Sequence, residues 1–227
     1  YKICSLGDNI SYCYIGSLSY CFIINSEKKL MIIGSICENK VTEKRISVTP
    51  DNVKKFITNG FKVYLEKNYG NHLDIDDEKF SENGAKFFDD KDEIIKNSDI
   101  LLQLNLPNEK DLKNLSPNKN LIGVFDPTKN KDQISKLSEN NINVFSLELL
   151  PRITRAQSMD ILSSQANLAG YKAVVDSFAM FKKAIPMMMT AAGTISAAKV
   201  LVVGAGVAGL QAIATAKRMG AIVFATD

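Results

Sequence analysis

Residues 199–227 constrain the fold more tightly than any other stretch. Val200-Leu201-Val202-Val203 is an apolar run of strand length, and Gly204-Ala205-Gly206-Val207-Ala208-Gly209 follows it. Residues 210–219 have a helical pattern, Gly220 closes it, and residues 221–225 form a second apolar run. A GxGxxG alone is weak evidence, but between a strand and a helix each glycine has a task. Gly204 permits the tight turn, Gly206 lets the backbone approach a diphosphate, and Gly209 lets the helix pack close to the strand. The helix's free N–H groups and its dipole then face the phosphate charge. Asp227 lies about 20 residues beyond the glycines, where a carboxylate accepts hydrogen bonds from an adenosine ribose and repels a 2′-phosphate. Gly204, Ala205, Gly206, Val207, Gly209 and Asp227 are therefore expected to bind a dinucleotide, NAD(H) in preference to NADP(H).

The upstream sequence predicts the same class of structure. Residues 30–36 read as a buried strand. Thr49-Pro50 marks a helix start, with a hydroxyl cap, proline at the first helical position and Asp51 in the first turn. Val53, Phe56 and Ile57 share one face of that helix, and Gly60 ends it. Strands are expected at 61–65, 86–88, 100–104, 121–125 and 144–147. Helices are expected at 76–83, 91–96 and 133–140. Such alternation demands a parallel sheet covered by helices, because parallel strands need long crossovers. From Gln157 or Ser158 to about Phe181, apolar residues recur at helical intervals and predict a long helix linking two domains. The expected architecture is α/β, with two doubly wound parallel-sheet domains joined by that helix. A flavodoxin-like domain would occupy residues 30–150. An interdomain loop, the helix and the start of a truncated Rossmann domain would occupy residues 151–227.

The chain begins with Tyr1 and stops at Asp227, features read here as those of a fragment. Residues 10–24 are uncharged and rich in Ile, Tyr, Cys and Ser, yet short for a transmembrane helix. Residues 1–29 are read either as a targeting or signal-anchor remnant or as an extension outside the fold. Residues 184–216 are nearly free of charge, but Lys199, Pro186 and several glycines interrupt them, so they are read as buried soluble core.

A net charge of +3 over 227 residues, without an Arg-rich or aromatic-interleaved patch, argues against a nucleic-acid partner. Cys4, Cys13, Cys21 and Cys37 have no CxxC spacing and none follows them, so neither a disulfide scaffold nor a transition-metal site is expected. The single His72 lies in a loop-like stretch and reads as a surface residue.

Residues 151–170, PRITRAQSMDILSSQANLAG, gather Arg152, Arg155, Gln157, Asp160 and Ser163 between a strand end and a helix. Polar side chains at a domain junction suit a ligand cleft, although they could equally cap a helix and bridge domains. This stretch resembles the signature loop in the NAD(H)-binding domain of proton-translocating NAD(P) transhydrogenases. The similarity runs from about Met31 to Asp227. It takes in Glu43-Lys44-Arg45-Ile46-Ser47-Val48-Thr49-Pro50, Glu148-Leu149-Leu150-Pro151-Arg152-Ile153, and Pro186-Met187-Met188-Met189-Thr190-Ala191-Ala192-Gly193-Thr194. It also takes in Gly209-Leu210-Gln211-Ala212-Ile213-Ala214-Thr215-Ala216-Lys217-Arg218. The resemblance implies that Arg152 and Ser163 hold the nicotinamide of NADH. It implies that Asp160 orients the ring and its carboxamide, and that Gln157 reaches toward the nicotinamide of NADP⁺. It further implies an NADP(H)-binding domain and a proton-translocating membrane domain outside this stretch, a homodimer, and a place at a membrane of unspecified kind.

Two other functions compete. An alanine dehydrogenase of related fold would need a proton-handling group and a cation for the substrate carboxylate. The resembling enzymes place a lysine near residues 101–107 and a histidine near residues 125–128. Here those segments read LLQLNLP, with Gln103 and Asn105, and FDPT, with Asp126 and Pro127. Direct hydride transfer between nicotinamides needs no such base; the protein has to hold two rings roughly 3–3.5 Å apart and exclude water. A non-catalytic NAD-binding module would use the glycine turn but has no need of Gln157 and Asp160.

Overall fold

The computed structural model describes residues 30–227 and, ahead of them, two short strands, β1 (Cys13–Ile15) and β2 (Leu18–Tyr20), paired antiparallel. The targeting-remnant reading of residues 1–29 otherwise lies outside the described residues. The chain divides into two compact units, residues 1–156 and residues 157–227.

The first unit winds β3 (Ile32–Ser35), α1 (Pro50–Thr58), β4 (Lys62–Glu66), α2 (Asp77–Ser81), β5 (Ala85–Phe88), α3 (Lys91–Asn97), β6 (Ile100–Leu102), α4 (Glu109–Leu112), β7 (Asn120–Gly123), α5 (Lys131–Glu139) and β8 (Asn143–Ser146). All six strands β3 to β8 run parallel in the order β5-β4-β3-β6-β7-β8. The doubly wound class is as expected. The order within it is 3-2-1-4-5-6, that of dinucleotide-binding domains, and not the flavodoxin-like 2-1-3-4-5. Two strands are laid outward from β3 before the chain returns through α3. That return needs a close approach: a Cβ on Gly34 of β3 would lie 2.0 Å from Ser98 Oγ, just past α3.

Alternate strand residues serve the two faces, as a period of two requires. On one side Val63 and Leu65 join Val48, Val53, Tyr69 and Phe80; on the other, Leu101 and Leu121 join Ile94, Ile95, Phe125 and Leu137. Local signals operate as read from the sequence. Thr49 caps α1 by accepting from Asn52 N–H at 3.3 Å, and Gly60 takes φ +84° after the helix. Helix α4 was not anticipated, because four residues are too few to show a period. Asn108 caps it by accepting Asp111 N–H at 2.9 Å, and Lys91 pairs with the buried Asp111 at 2.7 Å.

The second unit contains α6 (Ile161–Met180), the hairpin β9 (Met188–Thr190) and β10 (Gly193–Ile195), then β11 (Lys199–Val203), α7 (Val207–Arg218) and β12 (Ile222–Thr226). β11 and β12 pair in parallel. The expected linking helix is α6, and it belongs wholly to this unit. Two expectations need correction. Residues 186–196 are exposed and form the hairpin, not buried core. The strand at 199–203 is only half covered: Val200 and Val202 are partly buried, but Leu201 is 67% and Val203 78% exposed. Successive side chains of a strand point to opposite faces, and among the described residues the face of Leu201 and Val203 has no covering layer. No helix among the described residues is long and apolar enough to cross a membrane.

Candidate functional site

The glycine turn is built as its spacing requires. Gly204 has φ +97°, a region that disfavours any side chain, and its N–H donates to Thr226 O at 2.8 Å, tying the turn to the end of β12. Gly209 lies in the first turn of α7, and a Cβ there would stand 1.9 Å from Gly204 O. Helix and turn can touch only because Gly209 lacks a side chain, while Gly204 is required by its backbone conformation. Gly206 is the residue before α7, with φ −67° and ψ −173°, and a Cβ there would meet nothing within 4 Å. The absence of a side chain at Gly206 therefore serves no contact inside the protein; it leaves the space over the turn open. No side chain caps α7, so the first-turn N–H groups face that space without an acceptor from the cap residue. Such an end favours an anion.

Helix α7 begins at Val207, three residues before the helical pattern becomes visible, since the glycines carry no apolar signal. Val207 is exposed beside the turn. Asp227 follows β12, and its Oδ1 accepts Ala205 N–H at 2.9 Å, which holds the carboxylate against the turn. The fold thus brings together Gly204, Ala205, Gly206, Val207, Gly209 and Asp227. These residues fit a dinucleotide: an open diphosphate seat, free donors and an acid at the end of the second strand.

The polar loop resolves into separate parts. Asp160 is the N-cap of α6; Oδ1 accepts Ser163 N–H at 2.9 Å and Oδ2 accepts the Ser163 hydroxyl at 2.6 Å. Aspartate at the cap satisfies a helix N–H that would otherwise be orphaned. Gln157 is exposed in the 3-10 turn Thr154–Met159, and its carbonyl accepts Asp160 N–H at 3.3 Å. These three residues share the second unit with the glycine turn. Arg152 is exposed in the first unit, where it follows Pro151.

At the C-terminal ends of β3 and β6, where the strand order reverses, a different arrangement prevails. Gln103 is only 4% exposed; its Oε1 accepts Ile36 N–H at 2.9 Å and the Ser35 hydroxyl at 3.0 Å. The Glu38 carboxylate accepts Leu104 N–H at 2.6 Å, Asn105 N–H at 3.3 Å, Asn105 Nδ2 at 3.2 Å and Gln103 Nε2 at 3.4 Å. Arg45 grips Glu43 through Nε at 2.8 Å and a terminal nitrogen at 2.6 Å. Those charge-assisted bonds hold the Glu43 carboxyl down at about 2, and they raise Arg45 above its ordinary value. The donors that could seat a substrate carboxylate here are thus engaged by the protein's own acids. Asp126, in the second segment, adopts φ +44° and pairs with Lys129 at 2.7 Å.

His72 differs from its surface reading. It is half-buried, with Nε2 2.9 Å from Lys44 O and Nδ1 buried. A short 3-10 turn, Asn71–Leu73, has no apolar period to announce that packing. Burial pushes the Cys37 thiol up to about 12, so it stays protonated. Among the described residues no group of His, Cys, Asp and Glu could hold a metal ion.

Comparison with known proteins agrees with this geometry. The chain is 42% identical over 195 residues to an NAD(P) transhydrogenase subunit alpha of Rhodospirillum rubrum, covering 84% of this chain and 51% of the relative. A crystal structure of transhydrogenase from Sinorhizobium meliloti superposes with a TM-score of 0.81 at 44% identity, covering 86% of this chain and 58% of that one. An alanine dehydrogenase of Methanococcus maripaludis is more distant, 24% identical over 200 residues, covering 87% of this chain and 53% of the relative. The chain spans about half the length of these curated relatives. The family profile for the alanine dehydrogenase/PNT N-terminal domain matches residues 34–169 and that for the C-terminal domain residues 173–227. Since the two profiles follow one another along nearly all the described residues, the chain belongs to the alanine dehydrogenase/PNT family.

Proposed function

We propose that this chain is the NAD(H)-binding portion of a proton-translocating NAD(P) transhydrogenase. In this reading the NADP(H)-binding domain and the membrane domain are partners supplied from outside these 227 residues, and the assembly is homodimeric. Bound NADH would supply the hydride, which passes directly to the nicotinamide of NADP⁺. The protein's role is to bind, orient and exclude water.

One observation carries the reading. The second unit holds both an open, donor-rich glycine turn and a polar helix cap, Asp160 with Ser163. The turn's N–H groups and the α7 dipole would take the diphosphate, and Asp227 the adenosine ribose. Asp160 and Ser163 would orient the nicotinamide and its carboxamide. Gln157 would face the second nicotinamide. Arg152 joins this set on family resemblance alone. An amino-acid dehydrogenase is disfavoured because Gln103 and Glu38 satisfy each other where that chemistry needs a cation and a base.

Asp160→Asn tests the assignment cleanly, because asparagine caps a helix as well as aspartate does. Helix α6 should keep its start while losing the charge beside the ring. With the NADP(H) domain added back, hydride transfer is expected to fall at least tenfold while NADH affinity changes less than threefold. Equal losses in rate and affinity would remove the orienting role.

A further inference from the structure

Glycine in a helix interior is less favourable than alanine, so its presence there asks for a reason. Gly170 lies in the middle of α6, is buried, and is not among the residues with positive φ, so no turn requires it. The reason is steric. A Cβ on Gly170 would stand 2.1 Å from Ala208 O and 2.9 Å from Ala208 C. These are backbone atoms in the first turn of α7, and they cannot yield. The next residue, Gly209, is itself seated against Gly204 O. Helix α6 is thereby registered on the glycine turn, backbone against backbone.

The two helices also run in the same direction. Gly170 meets Ala208 at the start of α7, while Val174 and Phe178, farther along α6, share an apolar cluster with Ala212 and Ala216, farther along α7. Helix α7 starts at Val207, next to Ala208, whereas α6 starts at Ile161, about two and a half turns ahead of Gly170. At 1.5 Å per residue, Ser163 and Asp160 overhang the start of α7 by roughly 10 and 15 Å. Measured along the helices, the cap of α6 therefore lies beyond the N-terminal end of α7, the end that Gly206 precedes.

We propose that Gly170 is a positioning residue that sets the separation between the diphosphate seat and the Asp160–Ser163 pair. The inference rests on the proposed NAD(H) function. A side chain at 170 would push α6 away from Ala208 and move the ring-binding end relative to the diphosphate seat.

The test uses the full-length protein with its NADP(H) domain. For Gly170→Ala, affinity for ADP-ribose, which lacks the nicotinamide, is measured by calorimetry beside the rate of hydride transfer. ADP-ribose binding is expected to change less than threefold while kcat falls about 100-fold, the loss that a misplacement near 1 Å produces. A second variant covers the case in which Gly170→Ala does not fold. Seven alanines inserted after Gln165 lengthen α6 by about two turns, leave the Gly170–Ala208 crossing intact and move Asp160 about 10 Å. It should show the same split. Val174→Ala, which loosens the helix packing without crowding it, should lower Tm and leave rate and ADP-ribose affinity in their original ratio. Parallel loss of rate and ADP-ribose affinity in the first two variants, or no loss in either, overturns the proposal. Wild-type protein that binds neither NADH nor ADP-ribose overturns the NAD(H) function, and the inference with it.

Discussion

At the scale of single residues, charges mostly hold loops in place. Glu43 illustrates this. Its folded pKa of about 2 lies below the unfolded value near 4.5, because Arg45 bonds its charged form. A depressed carboxyl stabilises the fold above its unfolded pKa and loses that contribution as pH falls toward the folded one. Acid unfolding of the wild type and of Glu43→Gln should therefore differ most above pH about 4.5 and converge toward pH about 2. Curves that stay parallel across that window would show that the pair adds nothing to stability. Asp160 also holds local structure, since its carboxylate caps α6.

At the scale of elements, the turn that joins β3 to α1 is held by one buried hydroxyl. Tyr69 OH accepts Ser47 N–H and Val48 N–H, each at 3.2 Å, and lies 2.8 Å from both Ser35 Oγ and Ser47 Oγ. Burial raises the Tyr69 pKa, so the phenol stays neutral and can both accept and donate. Tyr69→Phe removes the acceptor and strands buried N–H groups, a change worth about 1–3 kcal/mol. Urea unfolding should show that loss as a lower midpoint with an unchanged slope. A midpoint within error of the wild type would mean that water replaces the hydroxyl. Because Val48 precedes the Thr49 cap, the same clamp also fixes where α1 begins.

Across the whole molecule, the two units are unequally covered. The first has apolar clusters on both faces of its sheet. The second packs α6, α7, β11 and β12 around one small cluster and leaves Leu201, Val203 and Phe224 exposed. Local opening free energies follow such differences in burial. In this chain, hydrogen exchange should be slowest in β4, β6 and β7, and faster by at least tenfold in β9, β10 and β11. Equal protection of β7 and β11 would contradict this ranking.

What the sequence determined by itself was the set of local choices. Strand and helix alternated legibly because the period of each is written in a handful of neighbouring residues, and Thr49, Gly60, Gly204 and Gly209 announced their roles because caps and tight turns are decided within a few positions. The resemblance in residues 151–170 named candidate ligands on the same local footing. What remained for the tertiary structure were relations between distant segments. Burial of 199–203 depends on which layers cover it, and only the fold showed one face bare. The strand order depends on when the chain reverses, and Gly34 and Ser98, which permit the reversal, lie 64 positions apart. Gly170 closes the stretch that resembles the family loop, but nothing local states its role; that appears only when the backbone of Ala208 is seen pressed against it, since steric exclusion acts between surfaces and leaves no periodic trace along the chain.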